Sequence, residues 1–248
     1  MPGMQAQSGA LYTAEQVRDL DRRAIHELGI AGYELMTRAG HATLDALRAV
    51  WPSTKSLAVL CGPGNNGGDG YVVARVARAQ GMRVNVVASG DPQQLGGDAR
   101  RAFEDFTAAG GRVQAWSAQA LDADVVVDAI FGTGLARELN ADAAAIVRAA
   151  NACGRPIVAV DIPSGLHADT GAVLGAAARA DLTVTFIGRK LGFYLGAGPA
   201  HVGPLVFDDL DVPSETYALQ SPIARLLGDG DVAAALPRRR RAAKGRSA

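Results

Sequence analysis

Four polar clusters in the sequence could carry chemistry, and the first is the glycine-rich segment GPGNNGGDG at residues 62–70. Its five glycines allow a tight turn and a close approach of the backbone to a ligand. The helical pattern that follows would direct the free N–H groups of its first turn at anything bound there. Such a turn suits a phosphate group, or a cation held by carbonyl and side-chain oxygens.

Three further clusters contain acidic, hydroxyl and basic side chains. Their sequences are VDAIFGTGL at residues 127–135, VDIPSGL at 160–166 and GRKLG at 188–192. Each cluster lies at the end of a strand-like apolar run, and the carboxyl ends of parallel strands share one edge of a sheet. We therefore expect three carboxylates, two carboxamides, a hydroxyl and an ammonium to meet in one crevice.

Most of these side chains also have a purely structural interpretation. Asn65 and Asn66 could be turn formers, and Asp128 could accept a hydrogen bond from a loop N–H. Asp161 could cap the turn that follows it or act as an acid or base, and a single lysine such as Lys190 is usually solvated. The four histidines show no metal-like spacing, and the sequence contains neither a Gly-x-Ser-x-Gly elbow nor a Walker-type lysine.

The segments that must position these clusters alternate between strand and helix patterns. Strands are predicted at residues 57–61, 84–88, 112–116, 125–130, 157–161, 182–187 and 205–207. Several are continuous runs of Val, Ile, Leu and Ala, which is typical of strands buried on both faces of a parallel sheet. Amphipathic helices between them, such as 99–109 and 141–152, predict a doubly wound α/β fold.

Two more helices are predicted before the first of these strands. The first follows Thr13, which forms a capping-box pattern with Gln16, and extends to about residue 28. The second is predicted at residues 33–50. Because this pair precedes the sheet, it is expected to form an extra layer or to lie at an interface.

The composition changes after Pro213. We therefore divide the chain into a domain at residues 11–213 and a weakly structured extension at 214–248. The strongly basic end of that extension, residues 237–246, lacks apolar residues able to pack and is expected to be a disordered tail or a severed linker.

Bulk composition excludes several classes of protein. The chain has 248 residues, of which 48% are hydrophobic, so a substantial core is expected. A formal net charge of zero argues against a protein whose main role is to bind nucleic acid. No apolar run reaches the length of a membrane span, no secretory leader is recognisable, and Cys61 and Cys153 are expected to be reduced thiols. These features predict a cytoplasmic protein.

The polar clusters together resemble one family. The segments 62–70 and 127–134, followed by DIPSGL at 161–166, are similar to the NAD(P)H-hydrate epimerases of the YjeF N-terminal domain family. The likeness continues downstream through KLG at 190–192 and covers about residues 11–213. Three motifs in order at matching intervals make the resemblance specific, where any one of them would be weak.

The resemblance implies a fold, an activity and a cofactor. The fold would be a Rossmann-like three-layer α/β/α sandwich with a mostly parallel sheet and an N-terminal helical extension. The activity would be the interconversion of the R and S epimers of hydrated NADH and NADPH, a metabolite-repair step that supplies the S epimer to a separate dehydratase. The resemblance also implies a homodimer and one bound potassium ion.

Individual roles follow from the positions that match the family motifs. The potassium ligands would be Asn66, Asp128 and Ser164. Contacts to the hydrated dinucleotide would come from three regions of the chain. Those residues are Asn65, Asn66, Gly67, Gly68, Asp69, Gly132, Thr133, Gly134, Leu135, Ala136, Arg137, Glu138 and Asp161.

A catalytic hypothesis combines the resemblance with the chemistry of the residues. The epimerised carbon carries a hydroxyl and the ring nitrogen, so its inversion requires proton transfer at the hydroxyl. Asp161 is the candidate base or acid, and Lys190 is its electrostatic partner, since a nearby ammonium would tune the carboxylate.

Three alternatives remain open from the sequence. The end of the chain, LPRRRRAAKG at 236–245, resembles the junction that opens the dehydratase half of bifunctional members, so the chain is either part of such an enzyme or works with a dehydratase on another chain. The fold also serves as a non-catalytic dimerisation or RNA-associated scaffold in relatives with eroded motifs. An ordinary oxidoreductase is disfavoured because the first turn does not combine a Gly-x-Gly-x-x-Gly pattern with an acidic residue about twenty residues further on.

Overall fold

The computed structural model describes residues 9–228 and residue 231. Ten strands occur in this part of the chain: β1 Ala10–Tyr12, β2 Ser56–Cys61, β3 Arg83–Ala88, β4 Val113–Gln114, β5 Val125–Ala129, β6 Ile157–Val160, β7 Leu182–Phe186, β8 Arg189–Lys190, β9 Leu205–Asp208 and β10 Ala224–Arg225. Five α-helices accompany them: α1 Ala14–His26, α2 Gly32–Val50, α3 Asn65–Ala79, α4 Gly97–Ala108 and α5 Ala141–Ala152.

Seven strands form one parallel sheet in the order β4-β3-β2-β5-β6-β7-β9. The chain builds outward from β2 to β4, then returns to pair β5 with β2 and builds outward in the other direction. The carboxyl ends of β2 and β5 therefore flank the point at which the strand order reverses. Ligands of doubly wound sheets bind in the crevice that opens at such a point.

Both faces of the central strands are buried, as the continuous apolar runs predicted. In β2, Leu57, Val59 and Cys61 pack in a cluster with residues of α1 to α4, whereas Ala58 and Leu60 pack in a second cluster with α5. Alternate residues of a strand point to opposite faces, so one short apolar run supplies both cores. The predicted three-layer α/β/α sandwich is confirmed.

The two N-terminal helices complete one of these layers. Helix α1 begins with the predicted capping box, in which Thr13 and Gln16 each accept a backbone hydrogen bond from the other. Its buried residues Val17, Leu20 and Ala24 belong to the same cluster as the apolar face of α2. The pair is therefore part of the main core.

The glycine-rich segment is mostly helix, which differs from the extended turn that the sequence predicted. Helix α3 begins at Asn65, so Gly67, Gly68 and Gly70 lie within its first two turns. A side-chain β-carbon at Gly67 would lie 2.0 Å from Gly62 O, and one at Gly70 would lie 2.7 Å from Ala129 Cβ. These glycines serve close packing of the helix against β2 and β5, which outweighs their low helix propensity.

A second, three-stranded sheet in the order β10-β1-β8 was not predicted from the sequence. Its strands are only two or three residues long, too short for a recognisable alternation. Strand β1 pairs in parallel with β8 and antiparallel with β10, so it joins the segment after Pro213 to Lys190. The predicted strand at 112–116 is shorter than expected, because only Val113 and Gln114 pair with β3.

Cys61 and Cys153 are both free thiols. Within residues 9–228, no helix is both long and apolar enough to cross a membrane. The basic segment at 237–246 lies outside the described residues.

Candidate active site

A cavity of about 510 Å³ opens at the carboxyl ends of β2, β5 and β6. Its walls come from the start of α3, from the loop after β5, and from one face of α1, where Val17 and Asp21 point inward. The volume is in the range of pockets that hold drug-sized and cofactor-sized ligands. Crevice position and size together make this cavity the candidate site.

The floor of the cavity depends on a close crossing of two backbones. Gly62 N donates a hydrogen bond to Ala129 O at 3.0 Å, and a β-carbon at Gly62 would lie 1.7 Å from Ile130 O. Only glycine fits there, and this contact brings the loop after β2 against the loop after β5. The first turn of α3 follows at once, and no side chain caps its N-terminus at Gly64.

We expect Gly62→Ala to lower the free energy of unfolding by about 2 kcal/mol or more, because the new methyl group must push the Ile130 backbone aside. Gly64→Ala is the matched control, since a β-carbon at Gly64 meets nothing within 4 Å and its φ is −126°. Urea denaturation of both variants measures the difference. Equal stability of the two variants would contradict the close crossing.

An ion pair lies on one side of the cavity. Asp161 Oδ1 accepts a hydrogen bond from Lys190 Nζ, and Asp161 Oδ2 accepts hydrogen bonds from Thr133 N at 3.0 Å and Thr133 Oγ1 at 2.6 Å. Burial alone would raise the pKa of Asp161, but the Lys190 ammonium and the Thr133 donors outweigh it and lower this pKa below its ordinary value. Asp161 is therefore ionised at neutral pH.

Lys190 is fully buried, contrary to the usual solvated position of a lysine. Its ammonium also donates to Thr185 Oγ1 at 2.8 Å and to Phe186 O at 3.3 Å. A buried ammonium requires such partners because its loss of hydration is expensive. Asp161 itself has a φ of 68°, a left-handed conformation that is uncommon outside glycine and often occurs at functional sites.

Two further carboxyl groups line the same cavity. Burial raises the pKa of Asp21 to about 7; the Lys190 ammonium opposes this rise and the Asp161 carboxylate adds to it. Burial likewise raises the pKa of Asp69 well above its ordinary value, with Asp161 and Asp21 adding to the rise and Lys190 opposing it. Three carboxyl groups share one ammonium, so the pKa values of Asp21 and Asp69 are raised while that of Asp161 is lowered.

Of the three residues proposed to hold potassium, Asn66 lies in the first turn of α3, Asp128 near the end of β5 and Ser164 in the loop after β6. Asp128 Oδ2 accepts a hydrogen bond from Ser164 N at 2.8 Å, and Asp128 Oδ1 accepts one from Ser164 Oγ at 2.6 Å. The loop after β5 connects them to Asn66: Phe131 N donates to Ser164 Oγ at 2.9 Å, and a β-carbon at Gly132 would lie 3.1 Å from Asn66 Oδ1.

The chemistry of these residues suits a cation. Asn66 is buried, and neither atom of its carboxamide has a hydrogen-bond partner within the described part of the chain. Asp128 is 1% exposed, burial raises its pKa, and the hydrogen bonds that it accepts from Ser164 and Ile130 come from neutral groups. An orphaned amide oxygen, a hydroxyl and an uncompensated carboxylate are donors that suit a hard cation. The loop N–H that Asp128 was suggested to bind is also present, at Ser164.

The family described as YjeF-related protein N-terminus matches residues 32–192. The chain belongs to this YjeF-related family. The bifunctional NAD(P)H-hydrate repair enzymes Nnr of Coxiella burnetii and Escherichia coli are each 41% identical to it, over 93% and 87% of the chain. The chain spans about half the length of these relatives, 47% and 42%.

Two other comparisons cover most of both proteins. The NAD(P)H-hydrate epimerase of Limosilactobacillus fermentum is 38% identical over 79% of this chain and 95% of its own length. The crystal structure of the yeast protein ynu0 (YNL200c) aligns with a TM-score of 0.69 and 21% identity, covering 79% of this chain and 86% of that one. The second likeness concerns the fold alone.

The cavity of this YjeF-related domain contains many, but not all, of the residues predicted to contact the ligand. Those that line it are Asn65, Asn66, Asp69, Gly132, Thr133, Gly134, Leu135 and Asp161. Gly67 and Gly68 are buried in α3, and Ala136, Arg137 and Glu138 are exposed outside the cavity wall. Lys190, Asp128 and Ser164 lie behind the wall, where they contact residues or loops that form it.

Sequence reasoning missed several residues of the YjeF-related cavity. Asp21 is the most important, and Phe131, Met36 and Asp98 also line the wall. Asp21 lies four residues from both Val17 and Ile25, on the face of α1 that turns toward the cavity. An acidic residue within an otherwise apolar helical row was the signal that could have identified it.

Proposed function

We propose that the protein epimerises hydrated NADH and NADPH and so interconverts their R and S forms. The observation that carries the proposal is the carboxyl cluster of the cavity, in which Asp161 is paired with buried Lys190 beside two carboxyl groups of raised pKa, Asp21 and Asp69. The names of two curated relatives, the bifunctional repair enzyme and the epimerase, support the same activity. The product S epimer would pass to a dehydratase.

The substrate carbon is a hemiaminal, bonded to a hydroxyl and to the ring nitrogen. Its configuration inverts either through loss and return of water or through opening and closing of the ring. Both routes require one group that removes a proton from an oxygen and one that supplies a proton. We assign the base to Asp161, because Lys190 and Thr133 keep it ionised at neutral pH.

Asp21 and Asp69 are suited to supply the proton. Both line the cavity, and burial keeps both protonated to a higher pH than an ordinary aspartate. Carboxyl groups of one type whose pKa values are driven apart by their surroundings commonly divide the roles of acid and base. Asp21 is the better candidate for reversible transfer, because its pKa of about 7 lies close to neutral pH.

The dinucleotide would bind along the start of α3 and the loop after β5. The free N–H groups at the uncapped N-terminus of α3 suit the pyrophosphate. We propose that Asn65 and Asp69 contact the ligand from this helix and that residues 132–135 contact it from the opposite wall. Gly67 and Gly68 would act through the helix backbone. The exposed Ala136, Arg137 and Glu138 would have to move inward to take part.

We propose potassium as the cation, held by Asn66, Asp128 and Ser164. When bound, it would compensate the buried charge of Asp128 and favour the negative pyrophosphate nearby. The chain's own residues would supply proton transfer. We also propose a homodimer, to be tested by light scattering, and a cytoplasmic location.

The decisive assay follows the conversion of purified R epimer to S epimer by chromatography. We expect the protein to accelerate epimerisation far above the spontaneous rate in potassium buffer. Exchange of potassium for tetramethylammonium, which is too bulky for the Asn66 site, is expected to lower both the rate and the thermal midpoint of unfolding. Absence of acceleration in potassium buffer would refute the activity. An unchanged rate and midpoint after exchange would refute the potassium site alone.

The Asp21 carboxyl predicts a pH-dependent stability. Its pKa is about 7 in the folded protein and 3.8 in the ordinary case, so the folded state binds the extra proton between these values. Stability therefore falls as pH rises through this window and the loss is complete above it. Asp21→Asn removes that loss. Urea denaturation should show Asp21→Asn more stable than the native protein at about pH 8, with the gain disappearing near pH 4.

The control for this pH series is Asp45→Asn, which changes an exposed aspartate on α2. Its stability relative to the native protein is expected to stay constant across the same range. A gain at pH 8 that Asp45→Asn shares, or a gain of Asp21→Asn that does not depend on pH, would contradict a raised pKa at Asp21.

A further inference from the structure

The segment that follows Pro213 folds back onto the site, although it lies outside the 32–192 family match. Thr216 is fully buried, and Ile223 N donates to Leu11 O at 2.9 Å as the segment joins β1. Tyr217 is half-buried, and its hydroxyl donates a hydrogen bond to Ile187 O at 2.9 Å. Ile187 lines the cavity, so this hydrogen bond connects the C-terminal segment to the cavity wall.

Ile187 has an unusual backbone conformation. Its φ of 62° is left-handed, which β-branched residues very rarely adopt. Such a conformation persists only where the surroundings hold it. Two hydrogen bonds do so: Ile187 N donates to Asp208 O at 3.0 Å, and Ile187 O accepts from Tyr217.

The reversal at Ile187 determines where Lys190 lies. Gly188 N donates to Phe186 O at 2.6 Å, so the chain turns sharply after β7 and enters β8. Lys190 then extends back along β7, where its ammonium reaches Thr185 Oγ1, Phe186 O and Asp161. A different φ at Ile187 would redirect β8 and withdraw the ammonium from Asp161.

We propose that Tyr217 is a positioning residue, whose hydroxyl holds the Ile187 turn and thereby keeps Lys190 against Asp161. The effect on turnover rests on the proposed function, in which Asp161 is the base. The structural part of the proposal does not depend on it. In this proposal, Tyr217, which lies outside the matched region 32–192, holds part of the cavity wall in place.

Charged and titratable groups surround both ends of this connection. Burial raises the pKa of Tyr217, with Asp209, Tyr12 and Asp21 adding to the rise and Arg189 opposing it, so the hydroxyl stays a donor. Asp161 faces Lys190 of β8 and Thr133 of the loop after β5. It also faces Asp21 of α1 and Asp69 of α3. Of the groups that face Asp161, Lys190 is the one that the Ile187 turn positions.

The test compares Tyr217→Phe with Tyr33→Phe in the full-length protein. Each variant removes a hydroxyl that donates one hydrogen bond, and Tyr33 donates to Asp105. The first readout is the pKa of the Asp161 carboxyl, measured by carbon-13 NMR without substrate and assigned with Asp161→Asn. We expect Tyr217→Phe to raise this pKa by about one unit, and Tyr33→Phe to leave it unchanged.

Turnover supplies the second readout. We expect Tyr217→Phe to lower kcat about tenfold with little change in KM, because the Lys190 ammonium that orients the Asp161 carboxylate is displaced while the dinucleotide contacts stay in place. Tyr33→Phe is expected to keep both constants. If the native protein does not epimerise the R form, the proposed function fails while the NMR comparison still decides the positioning role.

A second variant tests the route through the backbone. When Ile187→Gly is added to Tyr217→Phe, the pKa of Asp161 should return to its native, lower value. Glycine at position 187 adopts a positive φ without the hydrogen bond from Tyr217. An unchanged Asp161 pKa in Tyr217→Phe, an equal shift in Tyr33→Phe, or no recovery in the double variant would each overturn the proposal.

Discussion

Asp161→Asn is expected to lower kcat/KM for the R epimer by about 10²- to 10⁴-fold, the range typical for loss of a general base. Asparagine keeps the size of the side chain and tolerates the left-handed φ of 68° better than most non-glycine residues. Its carboxamide oxygen can still accept the hydrogen bonds that Thr133 now donates. The variant thus removes the ionised carboxylate with little change of shape.

The control is Asp122→Asn, which removes an exposed carboxylate paired with Arg155 at 3.2 Å, far from the cavity. Its turnover is expected to match that of the native protein. Initial rates over a range of R-epimer concentrations, together with circular dichroism of each variant, separate loss of chemistry from loss of fold. Native turnover by a folded Asp161→Asn variant would remove Asp161 from the mechanism.

Lys190→Met is expected to lower the free energy of unfolding by about 3–5 kcal/mol, the usual cost of removing one partner of a buried ion pair. Methionine fills the space of the lysine stem but leaves Asp161 without a counter-charge in a site where Lys190 is 0% exposed. The pKa of Asp161 should then rise, because the Lys190 ammonium no longer lowers it. Epimerase activity should fall with it.

Urea denaturation measures this effect, and a double-mutant cycle identifies its source. Asp161→Asn/Lys190→Met should be more stable than Lys190→Met alone, because the buried charge is gone. Lys55→Met, at an exposed lysine, should change stability by no more than about 0.5 kcal/mol. A Lys190→Met variant as stable as Lys55→Met would show that the pair is not buried in solution.

The fold was predictable because its main signals are local. Continuous apolar runs indicated the strands β2, β5, β6 and β7, and each was predicted to within one residue at either end. Helix α5 was predicted with its observed bounds, since an apolar helical pattern begins directly after the cap Asn140. Such a pattern shows which residues of one short segment are buried. It can be read without knowing which distant segments those residues contact.

The start of α3 and the small sheet were missed for the opposite reason. Glycine propensity argued against helix at Gly67 and Gly68, but the close packing of α3 against the sheet and Met36 requires residues without a side chain. Strands β1, β8 and β10 have no pattern of their own, because each exists only through hydrogen bonds to segments far away in sequence.

By itself, the sequence determined the α/β layers and the crevice at the strand ends, because these depend on strand order and local patterns. It also nominated Asp161, Lys190, Asn66, Asp128 and Ser164 as candidate site residues. Only the tertiary structure decided which groups share a low-dielectric environment. Asp21 approaches Lys190 from α1, and Tyr217 reaches the Ile187 turn from a segment distant in sequence. A pKa depends on distances through space and on burial, and neither is encoded in the spacing of residues along the chain.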